Sequence, residues 1–297
     1  MNTQNSIDNV AVIGLGLLGG SLGLALKGTG VNRLGWARRE DTRAAALKLN
    51  AADETGPDLE EILSRADLVV LALPVPVILE YLPLCARVCK KGAVVTDIGS
   101  TKEKIVACAD GCFTNPEGPF FIGSHPMAGT EKSGIEAAFA GLYCNADVFI
   151  TPSGNAPEEA LAALERFWQL VQAHTSRIHA RKHDLLVAET SHALHVVASA
   201  LSLSILDHAD ENEKLARFRG CATGFKDTSR IASSSPRVWR EIVENNASAV
   251  LEALDLFEEG LDEFRRLIAS GDFDGFEERF SKGKILRDSW LKYKGMK

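Results

Sequence analysis

In the first half of the chain, short unbroken apolar runs alternate with stretches whose apolar residues recur at helical spacing. The runs are Val10–Ile13, Arg33–Trp36, Leu68–Leu73, Ala93–Thr96, Phe120–Ile122 and Val148–Ile150. Strands apolar along their whole length predict a parallel sheet covered by helices on both faces. Segments rich in Gly and Pro, at Lys27–Gly30, Pro74–Pro76 and Pro116–Pro119, punctuate them. Beyond Pro157 the pattern changes. Glu158–Gln172 predicts a helix and Ser176–His179 a last short strand, and from about Arg181 every pattern is helical. Ala188–Leu206 is long and apolar and is expected to be a buried helix. In Val238–Ser270, Ile242, Val250, Leu254, Phe257, Leu261, Phe264 and Leu267 fall at helical spacing. The expected architecture is a doubly wound α/β domain over residues 1–180, then an all-helical domain over residues 181–297.

The first strand runs into Gly14-Leu15-Gly16-Leu17-Leu18-Gly19 and an apolar helix follows. A Gly-x-Gly-x-x-Gly turn is weak alone, but between a strand and a helix of a βαβ unit it predicts a Rossmann-type dinucleotide site. Gly14 allows the tight turn, Gly16 admits a pyrophosphate, and Gly19 lets helix and strand pack closely. The amides around Leu17 and Leu18 then face the phosphates. Where NAD sites place an acid at the end of the second strand, this chain has Ala37-Arg38-Arg39. Two guanidinium groups and no acid there favour NADP, with NAD as the alternative; the bland reading is a solvated charged turn.

Composition narrows the classes. With 297 residues, 45% hydrophobic and 25% charged, the chain can fill two ordinary globular cores. A net charge of −7 argues against nucleic acid as partner, although a few local cations would suffice for a small anion. The polar start, Met1–Asn9, predicts no signal peptide, and no membrane span is expected. The six cysteines form no CxxC pair, so reduced thiols, no metal and a cytoplasmic location are expected.

Two expected strand ends carry polar clusters. Asp97-Ile98-Gly99-Ser100-Thr101-Lys102 follows one, and Ser124-His125-Pro126-Met127-Ala128-Gly129-Thr130-Glu131 follows the other. In open α/β sheets ligands sit at such ends, where a His and a Ser make a proton-accepting pair beside a nicotinamide. With Ser191–His195 and Gly224–Ala232 in the same order, the chain resembles the prephenate/arogenate dehydrogenase family over nearly its whole length.

That resemblance implies oxidative decarboxylation of prephenate to 4-hydroxyphenylpyruvate with hydride transfer to NAD(P), in tyrosine biosynthesis. Arogenate, giving tyrosine directly, is the close alternative substrate. It further implies a homodimer formed through the helical domain. His125 would take up the proton of the substrate hydroxyl and Ser100 would bond both. Arg230 would hold the ring carboxylate and His195 would line the pocket, while Glu131 and Asp227 would organise its entrance. The family usually reads Ser-His-Leu-Pro-His where this chain has Ser191-His192-Ala193-Leu194-His195, and loss of the proline predicts a straighter helix. Glu189, His192 and His195 are expected on roughly one face, where Glu189 would favour the arogenate ammonium. His174, His179, His183 and His208 are read as structural. Only a short basic tail follows Trp290, so no regulatory domain is expected and tyrosine inhibition would be competitive.

Two rivals remain. A β-hydroxyacid dehydrogenase or imine reductase would use Lys or Asp on the interdomain helix, where this chain has His195. A non-catalytic dinucleotide sensor would lack a proton acceptor and an anion clamp.

Overall fold

The computed structural model describes residues 7–129 and 132–296. Two compact units divide the chain, residues 1–247 and 248–297.

Among the described residues the first unit has eight strands: β1 (Asn9–Ile13), β2 (Asn32–Trp36), β3 (Glu54–Thr55), β4 (Leu68–Leu71), β5 (Val94–Asp97), β6 (Phe120–Pro126), β7 (Asp147–Pro152) and β8 (His174–Arg177). They form one sheet in the order β3-β2-β1-β4-β5-β6-β7-β8. The strands from β3 to β6 are parallel, as the unbroken apolar runs predict. β7 departs from the expected parallel arrangement: it lies antiparallel to β6, with His125 opposite Phe149, so the sheet is mixed. A run's apolarity reports burial of both faces, which an antiparallel strand in a covered sheet shares with its parallel neighbours.

Helices cover both faces. They are α1 (Leu17–Ala25), α2 (Glu40–Lys48), α3 (Leu59–Arg65), α4 (Val75–Val88), α5 (Glu103–Cys112) and α6 (Glu158–Leu170). Strand alternation divides the core. Val10, Val12, Leu68, Val70, Val94 and Ile122 pack with Leu22 of α1 and Trp168 of α6. Ala11, Ile13, Val69, Leu71, Val95 and Phe121 pack on the other face with Ile62, Leu82 and Ile105.

Five further helices complete the unit: α7 (Ala180–Val187), α8 (Ala193–Leu206), α9 (Glu211–Gly220), α10 (Thr223–Ser229) and α11 (Pro236–Asn245). Between α7 and α8 lies a π-helical turn, Ala188–His192, so the straighter helix expected here is not formed. Nor is α8 buried as expected: only Ala193 and Ala198 are, while Leu194 and Leu203 are 47% and 60% exposed. The run Ala180–Leu206 is also long and apolar enough, by length and composition, to cross a membrane, against the expectation that no stretch would be. However, it carries buried His183, Asp184 and His192, all hydrogen-bonded within the unit.

The second unit is a helical hairpin of α12 (Ala247–Ser270) and α13 (Phe273–Tyr293), so the Val238–Ser270 pattern spans α11 and α12 rather than one helix. Gly271, at φ 71°, makes the turn, and Asp272 caps α13 by accepting from Gly275 N at 2.9 Å. Phe264 meets Phe276 edge-on, but Leu251, Phe273, Phe280, Ile285 and Leu286 stand open to solvent.

Candidate active site

The turn after β1 is shaped as its glycines demand. Gly14 sits at φ 103° and donates to Trp36 O at 2.8 Å; a Cβ there would lie 2.3 Å from Ala72 O. At Gly19 a Cβ would fall 1.9 Å from Gly14 O, so α1 can approach β1 only with glycine in place. Gly16 is the opposite case: nothing lies within 4 Å of its Cβ position, and this open space is where a pyrophosphate would sit. The first intrahelical bond runs from Gly20 N to Gly16 O and no side chain caps the helix, which leaves the preceding amides, around Leu17 and Leu18, for an anion. The residues therefore fit a dinucleotide.

At the end of β2, Ala37 is buried and Arg38 and Arg39 are exposed. Arg39 binds Thr42 Oγ1 at 3.1 Å and Asp41 at 3.3 Å, whereas Arg38 has no side-chain partner among the described residues. Arg43 holds the loop by donating to Ala37 O at 2.7 Å.

The ends of β5 and β6 meet at a buried charge pair. Asp97 and Lys102 are both fully buried and bonded to each other. Asp97 also accepts from Gly99 N at 2.8 Å and Ser124 N at 3.4 Å, which ties the loop carrying Ser100 to β6. Burial disfavours both charges, pushing the Asp97 carboxyl above its ordinary value and the Lys102 ammonium below its own. Ser124 is clamped by Thr96 Oγ1 at 2.7 Å and by Trp168 Nε1 at 3.2 Å.

His125 follows, only 9% exposed. Its Nδ1 lies 2.9 Å from Nε2 of His183, and His183 Nδ1 lies 2.7 Å from Asp184 Oδ1. Asp184 is itself fixed by the first turn of α5, accepting from Lys102 N at 2.7 Å and Glu103 N at 2.9 Å. Burial holds His125 well below the usual imidazole value, helped by His183, Lys102 and His192. His125 is thus neutral near neutral pH, the form that accepts a proton. Half-buried Ser100 makes no hydrogen bond to His125 among the described residues.

From His183 a line of polar groups leads onto the helices. Asn246 donates to Asp184 O at 2.8 Å and lies 3.2 Å from His192 Nδ1. Burial lowers His192 to about 4. His195 stacks on Trp239 at 3.6 Å and is lowered by burial and by the charge of Arg230. Arg230 and Asp227 are exposed, and no ion pair joins them among the described residues. A cavity of about 450 Å³ opens beside His195 and Trp239, lined also by Val196, Ser199, Arg240 and Val243. His125 does not line it. Glu189 is exposed while His192 is buried, so the π turn has parted them. Glu131 lies outside the described residues.

Sequence reading missed His183, Asp184 and Trp239. Arg181-Lys182-His183-Asp184 looks like a solvated helix face; the one clue was the buried side chain implied by Ala180 and Val187 at helical spacing around it.

Comparison with known proteins gives a consistent picture. Residues 22–177 match the family profile "Prephenate dehydrogenase, nucleotide-binding domain" and residues 179–282 match "Prephenate dehydrogenase, dimerization domain". The chain is 32% identical to the cyclohexadienyl dehydrogenase of Zymomonas mobilis over 281 residues, 94% of either protein. Among solved structures, prephenate dehydrogenase from A. aeolicus in complex with hydroxyphenyl propionate and NAD+ superposes with a TM-score of 0.87 at 30% identity, covering 96% of this chain and 98% of that one. Synechocystis arogenate dehydrogenase gives 0.83 at 29% identity, covering 95% and 99%.

Proposed function

This chain belongs to the prephenate dehydrogenase family, and from that premise we propose that it oxidatively decarboxylates prephenate to 4-hydroxyphenylpyruvate with NADP as preferred hydride acceptor. It is an NAD(P)-dependent oxidoreductase of tyrosine biosynthesis. The observation that carries the mechanistic reading is His125, buried at the carboxyl end of β6 and bonded through Nδ1 to His183.

When bound, the cofactor supplies the acceptor for the hydride leaving substrate C4. His125 takes the C4 hydroxyl proton at Nε2 as that hydride departs and the C1–carboxylate bond breaks to release CO₂. The bonding pair from that carboxylate enters the ring, and the proton returns to the phenolate oxygen, so no net proton is released. Aromatisation drives the step, which leaves the protein to position, to polarise and to exclude water. Ser100 bonds the same hydroxyl. Arg230, with no carboxylate partner among the described residues, holds the ring carboxylate through its forked guanidinium. His195, steadied by Trp239, lines the substrate pocket, and Asp227 borders its entrance.

Gly14, Gly16 and Gly19 would hold the dinucleotide, and Arg38 and Arg39 would hold the 2′-phosphate of NADP. Residues 1–180 bind it, and residues 181–297 carry substrate and subunit contacts in a cytoplasmic homodimer. The exposed apolar side chains of α12 and α13 support the last point. Arogenate is the second substrate to weigh, given the likeness to the Synechocystis enzyme.

The test is a two-by-two comparison of kcat/KM, prephenate or arogenate with NAD or NADP, alongside His125→Asn. The variant should lose roughly 10²–10⁴-fold in kcat with cofactor binding kept. Near-normal kcat in the variant, or no turnover of either substrate by the natural chain, would sink the reading.

A further inference from the structure

A proton acceptor works only if its lone pair points at the proton, and a neutral imidazole offers one lone pair on either of two nitrogens. The buried groups around His125 decide which. Asp184 is an acceptor, held as such by two backbone amides at the start of α5. The nitrogen facing it, Nδ1 of His183, must therefore carry the hydrogen. Neutral His183 then has its lone pair on Nε2, which lies 2.9 Å from Nδ1 of His125. That second nitrogen must in turn be the donor. We infer that His183, held by Asp184, is a positioning residue that fixes His125 as its Nδ1–H tautomer and so leaves Nε2 as the proton-accepting atom.

The arrangement is stiff. His183 is fully buried between His125 and Phe149, whose ring meets it edge-on at 5.7 Å, and Asn246 ties Asp184's own carbonyl to His192. The charged and titratable groups facing the two imidazoles are Asp184 on α7, Asp97 and Lys102 at the end of β5, and His192 in the π turn. Among them only Asp184 contacts an imidazole as a hydrogen-bond acceptor, so the order of hydrogens is set from that end. When Nε2 of His125 takes the substrate proton, the new imidazolium already donates through Nδ1 to His183, which donates to the Asp184 carboxylate. The positive charge is thereby met by a carboxylate two hydrogen bonds away, with no group having to move.

This rests on His125 being the proton acceptor, and the experiment separates the two. Full-length enzyme labelled with ring-¹⁵N histidine is examined by long-range ¹H–¹⁵N correlation near pH 8, with the His125 signals identified by their loss in His125→Asn. The expected spectrum has Nδ1 protonated and Nε2 bare; a bare Nδ1 in the natural chain overturns the proposal, and this measurement does not depend on any His183 variant folding. In steady-state assays His183→Leu should lose at least about tenfold in kcat, toward the roughly 10⁴-fold that a wrong tautomer costs a hydrolytic triad. KM should stay within twofold. His183→Gln, whose amide oxygen still accepts from Nδ1, should recover most of the loss. Wild-type kcat in His183→Leu, or equal losses in Leu and Gln, counts against positioning. Unchanged kcat in His125→Asn refutes the acceptor role instead, whatever the tautomer.

Discussion

Lys102→Met would remove the ammonium from a pair in which neither side chain reaches solvent. Asp97 would keep two amide donors, Gly99 N at 2.8 Å and the longer Ser124 N at 3.4 Å, and nothing of opposite charge. Breaking a buried pair from one side costs about 3–5 kcal/mol, because the remaining charge is neither solvated nor paired. Against a total stability of roughly 5–15 kcal/mol, that is about a fifth of the fold or more. It corresponds to a drop of about 6–20 °C in melting temperature, at roughly 2–4 °C per kcal/mol. Asp97→Asn/Lys102→Met should recover at least half, since a neutral amide still accepts from Gly99 N. The pH dependence has a definite sign. Burial already raises the Asp97 carboxyl above its unfolded value, and loss of Lys102 raises it further. The native variant then binds the proton more tightly than the unfolded chain, so its deficit relative to the natural protein shrinks as pH falls through the raised value. Urea unfolding of the three proteins at two pH values measures all of this. A deficit under about 1 kcal/mol with unchanged m, or a double variant worse than the single one, would refute the reasoning.

Four other outcomes are expected. Arg38→Asp should move the NADP-to-NAD ratio of kcat/KM by roughly 10–150-fold toward NAD, the worth of about 1.5–3 kcal/mol in charge-assisted bonds, and a natural enzyme that already prefers NAD contradicts it. Gly16→Val places its side chain in open space, so melting should be unchanged while fluorescence titration finds dinucleotide binding lost. Arg230→Lys keeps the charge but not the fork, and KM for prephenate should rise about tenfold, with Arg230→Ala worse; unchanged KM in both removes Arg230 from the site. His125, His183 and His192 all have native values below the unfolded 6.5, so unfolding takes up protons and stability falls as pH drops below 6.5, for His192 down to about 4. Each contributes up to about 1.4 kcal/mol per pH unit, and urea midpoints that stay flat between pH 7 and 5 would contradict this.

Much of this is legible in the sequence alone, for identifiable reasons. Val10–Ile13 and Leu68–Leu71 announce themselves because central parallel strands need apolar side chains on both faces. Gly14 and Gly19 are legible because close packing admits no Cβ at either, and Gly16 because a pyrophosphate needs the space a side chain would fill. Strand β7 was found but its direction was not, since direction depends on the connection after β6. The two-residue β3 is too short to carry a pattern. α8 was misjudged for a different reason: apolar spacing says that a face avoids water, not what covers it, and residues 179–282 match a dimerization domain. Within the site, His125 stood out by its surroundings. His183 did not, because its partners are 58 residues upstream and one residue downstream in a run that reads as solvated.

The π turn at Ala188–His192 has a geometric consequence. In an unbroken α-helix at about 100° per residue, Asp184 and His195, eleven positions apart, would return to within roughly 20° of one another. One surplus residue in the turn swings the downstream half through about 100°. The same rod can then aim one histidine at the sheet and another at Trp239. The turn acts as a phase shifter: straightening it with every residue kept would swing His195 away by about 100°, whereas deleting its surplus residue would leave an unbroken helix with nearly the present phase.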